Sequence, residues 1–309
     1  MNIKKLFKSG IKYLTEAEFR FSVNAKLGLY NSMPDEEYIK RKFKLYVGME
    51  LNLENPQLYC EKLQWLKLYD RRPEYTTMAD KVAVRDYIAE KLGEEYLIPC
   101  LGVWDDPEDI NFDALPDQFV LKCNHNSGLG MCICKDKSKL DIAKVKKELK
   151  KGLAQDYYLT GREWCYKDIK RKIIAEKFMV DESGTELKDY KVMCFGGKAK
   201  LIQVHSGRFG DQPARNMYDA EWNLLDFPGY PLISNPPEKP KCLEQMLRFS
   251  EELSKDIPQL RVDWYIVNGH LYLGELTFFD ASGFFVYEIM ELNRMLGDWV
   301  ELPPVRTED

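Results

Sequence analysis

Histidine is scarce in this chain: three in 309 residues, at 125, 205 and 270. So few cannot easily build a zinc site with the eight scattered cysteines (60, 100, 123, 132, 134, 165, 194 and 242), none of which forms a Cys-x-x-Cys pair. A chain this long needs no disulfide framework, and the thiols are expected to be reduced, mostly buried and cytoplasmic. Cys132 and Cys134 alternate on one face of a strand and read as core, against a metal or redox role. Excess positive charge is also missing. A net charge of -5 and a pI near 5.5 argue against nucleic acid as the main partner. No apolar run approaches the roughly 18 residues of a membrane helix. The lysine-bearing start has no apolar core behind it and is not expected to be a signal peptide.

Nucleotide and hydrolase motifs are lacking in their familiar forms. There is no Gly-x-x-x-x-Gly-Lys-Ser/Thr, no Gly-x-Gly-x-x-Gly opening a helix, and no Gly-x-Ser-x-Gly elbow. What remains is an ordinary globular composition, 45% hydrophobic and 31% charged, long enough for one large domain or two.

The first 80 residues read as largely helical. Ile3, Phe7, Ile11 and Leu14, interleaved with Lys4, Lys5 and Lys8, make a basic amphipathic start. It suits either a packed helix or a weak membrane-surface contact by residues 1–14. Asn55-Pro56 is expected to open a helix carrying Leu58, Leu63, Leu66 and Tyr69. Another helix is expected from Asp80 to Leu92, stopped by Gly93. Short strands then take over, with a lysine-rich helix at about 138–152 and another at 241–255. Ile173–Val180 reads as a strand, and Tyr190–Phe195 with Ala199–Val204 as a hairpin. Hairpins mixed with helices indicate an α+β fold rather than a doubly wound parallel sheet.

Three segments can carry chemistry. Phe119-Val-Leu-Lys122 runs into the loop Asn124-His-Asn-Ser-Gly-Leu-Gly130, whose backbone N–H groups could cradle phosphate while Lys122 supplies charge. By itself such a loop is equally a plain turn between strands. Ser206–Asn216 is polar and doubly basic, suiting either a loop over an anionic substrate or an exposed hairpin loop. The third segment, Arg261–Thr277, is a hairpin turned at Asn268-Gly269, with Asp263 and Glu275 in otherwise apolar strands. Two carboxylates there call for a partner, and a divalent cation serves both. A two-residue turn would put them on opposite faces. A three-residue loop, Val267–Gly269, would pair Arg261 with Glu275 and bring Arg261, Asp263, Glu275 and Thr277 to one face. The three-residue loop is the expected one; the alternative for the charges is a solvated outer face.

Taken in order, Asp80-Lys81, Lys122 with its Ser-Gly-x-Gly loop, Ala175-Glu-Lys-Phe178, Arg261-Val-Asp263 and Gly274-Glu-Leu-Thr277 resemble the ATP-grasp fold. Lys62-Leu-Gln-Trp-Leu-Lys67, Asp189-Tyr-Lys191, Arg208, Asn216 to Trp222 and Gly274–Phe278 make the chain similar to the TupA-like ATP-grasp family over about 55–290. The resemblance implies two α+β subdomains with antiparallel sheets gripping the nucleotide, about 119–175 and 176–290 within 81–309, after a mostly helical segment, 1–80. It implies that Lys81 and Lys122 contact ATP phosphates, with Asn126, Ser127, Gly128 and Gly130 in the loop over them. Glu176, Lys177 and Phe178 would read adenine through their backbone, and Lys191 and Arg208 would contact phosphate or carboxylate. Asp263 and Glu275 would hold Mg²⁺, with Thr277 standing where the family often has Asn, and Arg261 would stabilise a developing oxyanion.

The implied activity is Mg-ATP-dependent ligation of a carboxylate to an amine through an acyl phosphate. The expected setting is surface-polysaccharide (teichuronopeptide) synthesis in the cytoplasm, at the inner face of the membrane. Two other readings stand beside it: a glycosyltransferase of the same pathway, against which the absence of Asp-x-Asp counts, and a non-catalytic nucleotide-binding assembly partner.

Overall fold

The computed structural model describes residues 10–182, 184, 187–206, 214–225, 227, 232–233, 236–285 and 290–305. Helices dominate the first part: α1 (Ala17–Lys26), α2 (Asp35–Val47), α3 (Tyr59–Tyr69), α4 (Glu74–Ala79) and α5 (Val84–Lys91). In α2, Asp35, Glu36 and Glu37 lie in the first turn, Lys44 in the last, and Gly48 closes it at φ 80°. Helix α3 begins three residues beyond Pro56, not at it. The Glu61 carboxylate accepts from the N–H groups of Gln57 and Leu58, both at 2.9 Å, and so sets the start. Helix α5 likewise begins at Val84 rather than Asp80. The amphipathic start falls largely on residues 1–9, outside the described ones.

A four-stranded antiparallel sheet follows, in the order β1-β4-β2-β3, from β1 (Cys100–Trp104), β2 (Phe119–Cys123), β3 (Cys132–Cys134) and β4 (Ile173–Lys177). Helix α6 (Ile142–Ala154), capped by the Asp141 carboxylate on the Lys144 N–H, covers it with Leu149. Cys134 joins that core, Cys132 packs at its rim, and all eight cysteines are free thiols. The short helix α7 (Tyr158–Gly161) leads back to β4, which ends at Lys177, short of Val180.

The second sheet has six antiparallel strands, ordered β10-β9-β5-β6-β7-β8. They are β5 (Asp189–Phe195), β6 (Lys198–Ser206), β7 (Ala214–Tyr218), β8 (Leu224–Leu225), β9 (Gln259–Val267) and β10 (His270–Thr277). Alternation sorts its faces. Val192, Cys194, Val262 and Trp264 point to one, where α8 (Leu243–Leu253) packs and Ser250 accepts the indole N–H of Trp264 at 2.9 Å. At one end of the other face, Phe195 meets Tyr59 of α3 and Trp299 of α9 (Met290–Trp299). The rest of that face looks across a cleft to the smaller sheet.

The turn of the β9–β10 hairpin differs from the expected one. Asn268 (φ 51°) and Gly269 (φ 75°) form a two-residue turn closed by His270 opposite Val267. A bulge at Gly274 then shifts the register by one residue, so that Glu275 faces Asp263 and Thr277 faces Arg261. The four residues do share a face, through a bulge rather than a longer loop. The bulge needs glycine: a Cβ there would lie 2.9 Å from the Tyr265 ring and 3.2 Å from the Asp263 carbonyl oxygen.

Candidate active site

Register places the polar residues of the larger sheet in rows that run across its strands. One row is Glu275, Asp263, Lys191 and Gln203; the next towards the turn is Tyr272, Tyr265, Asp189, His205 and Arg215. Thr277 and Arg261 lie on the far side of the first row and give way to the apolar Met193 and Leu201. The site is therefore a polar strip at the edge of a core.

Arg261 is the hub. Its Nε and Nη2 donate to the two oxygens of Asp263 at 2.7 and 2.8 Å, a two-point fit of guanidinium to carboxylate. The same Nη2 donates to Glu275 and to the Thr277 hydroxyl, both at 3.1 Å, while Nη1 is ion-paired with Asp280. Lys191 bridges Asp263 and Asp189, the latter at 2.7 Å. Burial works against the Arg261 charge, but Asp263, Asp280 and Glu275 outweigh it and hold its pKa well above the ordinary value. Burial likewise pushes the Asp263 carboxyl up, and Arg261 and Lys191 together carry it below the usual range. For Glu275, whose side chain is 40% exposed, the protein packed around the carboxylate and the neighbouring Asp263 push up, and Lys81, Arg261 and Lys191 prevail.

The smaller sheet brings a second set across the cleft. Lys122 reaches the Glu176 carboxylate at 2.6 Å, and Lys81 donates to the Asn126 carbonyl at 2.8 Å. Burial first, and Lys122 second, lower the Lys81 pKa, with Glu275 and Glu176 opposing. Lys81, Glu176, Gly274 and Glu275 line one narrow cavity, so the two sets meet. Asn126 is buried and its amide donates to Gly152 and Gln155, whereas Ser127 and Gly128 are exposed at the tip. Gly128 (φ 84°) and Gly130 (φ 73°) turn the loop, and Gly130 sits so close to α6 that a Cβ would be 3.0 Å from the Gly152 Cα.

Some expected residues stand differently. The Glu176 backbone is paired within the sheet, opposite Cys100 and Val120, and the Lys177 N–H is taken by the Pro99 carbonyl. Glu176 therefore offers the cleft its side chain, not its backbone. Lys177 is exposed, and Phe178 lies just past the strand with the Lys135 ammonium 5.9 Å from its ring centre. Arg208 and residues 207–213 lie outside the described residues.

Asp189, Gln203 and His205, to which sequence reasoning gave no role, and Arg215 of the doubly basic segment enter by register, and Asp280 by its ion pair. Period-two alternation along each strand was the available signal for the first four, but only strand order reveals the rows.

The donor set suits a divalent cation shared with phosphate. Asp263 is covered by Arg261 and Lys191, while Glu275, its side chain 40% exposed, faces the cleft beside the Thr277 hydroxyl. Among the described residues, no three His, Cys, Asp or Glu side chains form a metal cluster. Mg²⁺ on a nucleotide needs no such cluster, because one or two carboxylates complete a shell made largely of phosphate and water oxygens.

The TupA-like ATP-grasp family model matches residues 61–301. The chain belongs to that family. Its fold is the ATP-grasp fold, and solved structures similar to this family member include ATP-grasp ligases. D-alanine–D-alanine ligase from Bacillus anthracis, solved with ATP, is 17% identical over 65% of this chain and 53% of its own, at a TM-score of 0.39. The Helicobacter pylori enzyme is 16% identical over 78% and 68%, at 0.40. A RimK-domain ATP-grasp protein from Sphaerobacter thermophilus is 13% identical over 75% and 71%, at 0.43. The chain thus spans little more than half the length of the first. No curated protein sequence matches it.

Proposed function

We propose that this family member is a Mg-ATP-dependent carboxylate–amine ligase that attaches an amino acid or amine to a bacterial cell-surface polysaccharide precursor. One observation supports the ligase reading above the others: Lys81, Lys122, Lys191 and Arg261 are gathered around one cleft with Asp263 and Glu275. Triphosphate is the substrate chemistry that calls for several buried cations beside two carboxylates. The family name supports the polysaccharide setting, and the basic amphipathic start, residues 1–14, suits a place at the inner face of the membrane. No helix among the described residues is long and apolar enough to cross a membrane.

Lys81, Lys122 and Lys191 then neutralise the triphosphate, with N–H groups of the loop from Asn126 to Met131 turned to its terminal end. Glu275, Asp263 and the Thr277 hydroxyl would hold Mg²⁺, which would neutralise phosphate charge. The substrate carboxylate takes the γ-phosphoryl group, ADP leaves, and an amine displaces phosphate from the acyl phosphate. Arg261 donates N–H groups towards the oxyanion that develops, and Arg208 contacts the carboxylate or phosphate.

Thermal unfolding with Mg-ATP, with Mg-UDP-sugars and with neither tests this. Ligand at about a hundred times its dissociation constant stabilises by roughly 2.7 kcal/mol. Mg-ATP alone is expected to raise the midpoint, and Glu275→Gln to weaken that rise. ADP release dependent on both a carboxylate and an amine then identifies the acceptors. Stabilisation by a UDP-sugar alone would sink the ligase reading in favour of glycosyl transfer.

A further inference from the structure

Helix α3 carries Lys62-Leu-Gln-Trp-Leu-Lys67, a segment with no part in the nucleotide chemistry above. Gln64 and Lys67 lie on one face of it, three residues apart, and neither is exposed to solvent. Gln64 Nε2 donates to the carbonyls of Ser282 at 3.2 Å and Gly283 at 2.7 Å. Lys67 Nζ donates to Ser282 O at 2.9 Å and to Gly161 O at 2.7 Å, with the Phe284 ring centre 4.2 Å away.

The turn they grip is strained. Ala281, Ser282 and Gly283 have φ of 44°, 58° and 64°, three left-handed residues in a row, two of them with side chains. Non-glycine residues in that region persist only where their surroundings over-determine them. Gly283 is pressed so close to the helix that a Cβ would come within 2.6 Å of Gln64 Nε2 and 2.9 Å of Leu63 Cβ. The turn opens at Asp280, the residue that ion-pairs Arg261 from the side opposite Asp263. Burial lowers the Lys67 pKa to about 7, with Glu163 opposing.

We propose that Lys67, with Gln64, is a positioning residue for phosphoryl transfer. It clamps the left-handed turn so that Asp280 fixes the Arg261 guanidinium against Asp263 and Glu275. This rests on the ATP-dependent reading above.

The test uses the full chain as wild type, Lys67→Met, Asp280→Asn and the double variant, with Gln64→Met as a milder clamp variant. Hydrogen exchange over residues 279–285 is followed without nucleotide, and affinities are measured for Mg-ADP and for Mg-ADP with aluminium fluoride, a mimic of the transferring phosphoryl group. Lys67→Met is expected to speed exchange in the turn and leave Mg-ADP affinity within about twofold, but to weaken the fluoroaluminate complex about tenfold or more. Asp280→Asn should weaken it by a similar factor, and the double variant no further. Gln64→Met should follow Lys67→Met with smaller losses. Additive losses, or equal falls for both ligands, overturn the clamp and leave Lys67 a structural residue. A wild type that binds Mg-ADP without tightening on fluoroaluminate overturns the part given to Arg261, and the clamp with it. A wild type without Mg-ADP affinity overturns the nucleotide reading itself, whatever the exchange shows.

Discussion

On the four-stranded sheet, Lys122 meets a single carboxylate, Glu176, at 2.6 Å, at the side of a cleft. On the six-stranded sheet, Arg261 alone meets Asp263, Glu275 and Asp280, and Lys191 ties Asp263 to Asp189. The difference is one of redundancy. In the larger sheet, cross-strand rows stack charges side by side, so Asp263 keeps Lys191 when Arg261 moves. That suits a scaffold that holds its shape while charge develops on a substrate. In the smaller sheet, one ion pair, Lys122 with Glu176, faces the cleft beside a glycine loop that Asn124, His125 and Asn126 tie down and whose tip, Ser127 and Gly128, is exposed.

The comparison breaks hardest at Arg261. Arg261→Leu leaves Asp263, buried and beside Glu275, with Lys191 alone, and is expected to cost about 3–5 kcal/mol in urea unfolding. A loss below about 1 kcal/mol would show that the network is not tied as described.

The next effect is one of pH. His205, in the same rows, is held neutral down to about 3 from an ordinary 6.5, first by burial and then by Lys191, Arg215 and Arg261. Between those values the unfolded chain binds a proton that the folded chain does not. Its contribution is therefore whole above pH 6.5 and is lost as pH falls towards 3. By pH 5 the loss is about 2 kcal/mol, at roughly 1.36 kcal/mol per pH unit. His205→Asn should flatten that part of the stability-against-pH curve, and an unchanged slope would remove His205 from the account.

Lys122→Met sharpens the contrast from the other sheet. Glu176 stands nearer solvent than Asp263, so the expected loss is about 1 kcal/mol. Glu275→Gln should be smallest, below roughly 0.5 kcal/mol without nucleotide, because its side chain is 40% exposed. If Lys122→Met costs as much as Arg261→Leu, the two sheets do not differ in the way proposed.

Much of this was legible along the chain, because it depends on neighbours in sequence. Asn268-Gly269 marks a turn by its tolerance of positive φ, and the strands on either side alternate in their own residues. The order of lysines and carboxylates along the chain is itself a mark of the family. Yet the expected three-residue loop was wrong, since a bulge five residues beyond the turn brings the same four residues to one face, with Arg261 opposite Thr277 rather than Glu275. Only the fit of Gly274 beneath Tyr265 discloses it. The start of α3 was misplaced for a similar reason, the Glu61 carboxylate outweighing proline as the stop.

Sequence by itself determined the α+β character, the hairpin with its two carboxylates and the candidate phosphate loop, all set by local backbone preference and side-chain period. Tertiary structure alone decided the rows, since strand order sets Lys191 beside Asp263 across 72 residues. It alone decided that Lys67 reaches a turn 215 residues away. Contacts of that kind leave no periodic trace, because what creates them is the packing of separate elements and the need of buried charges to find partners.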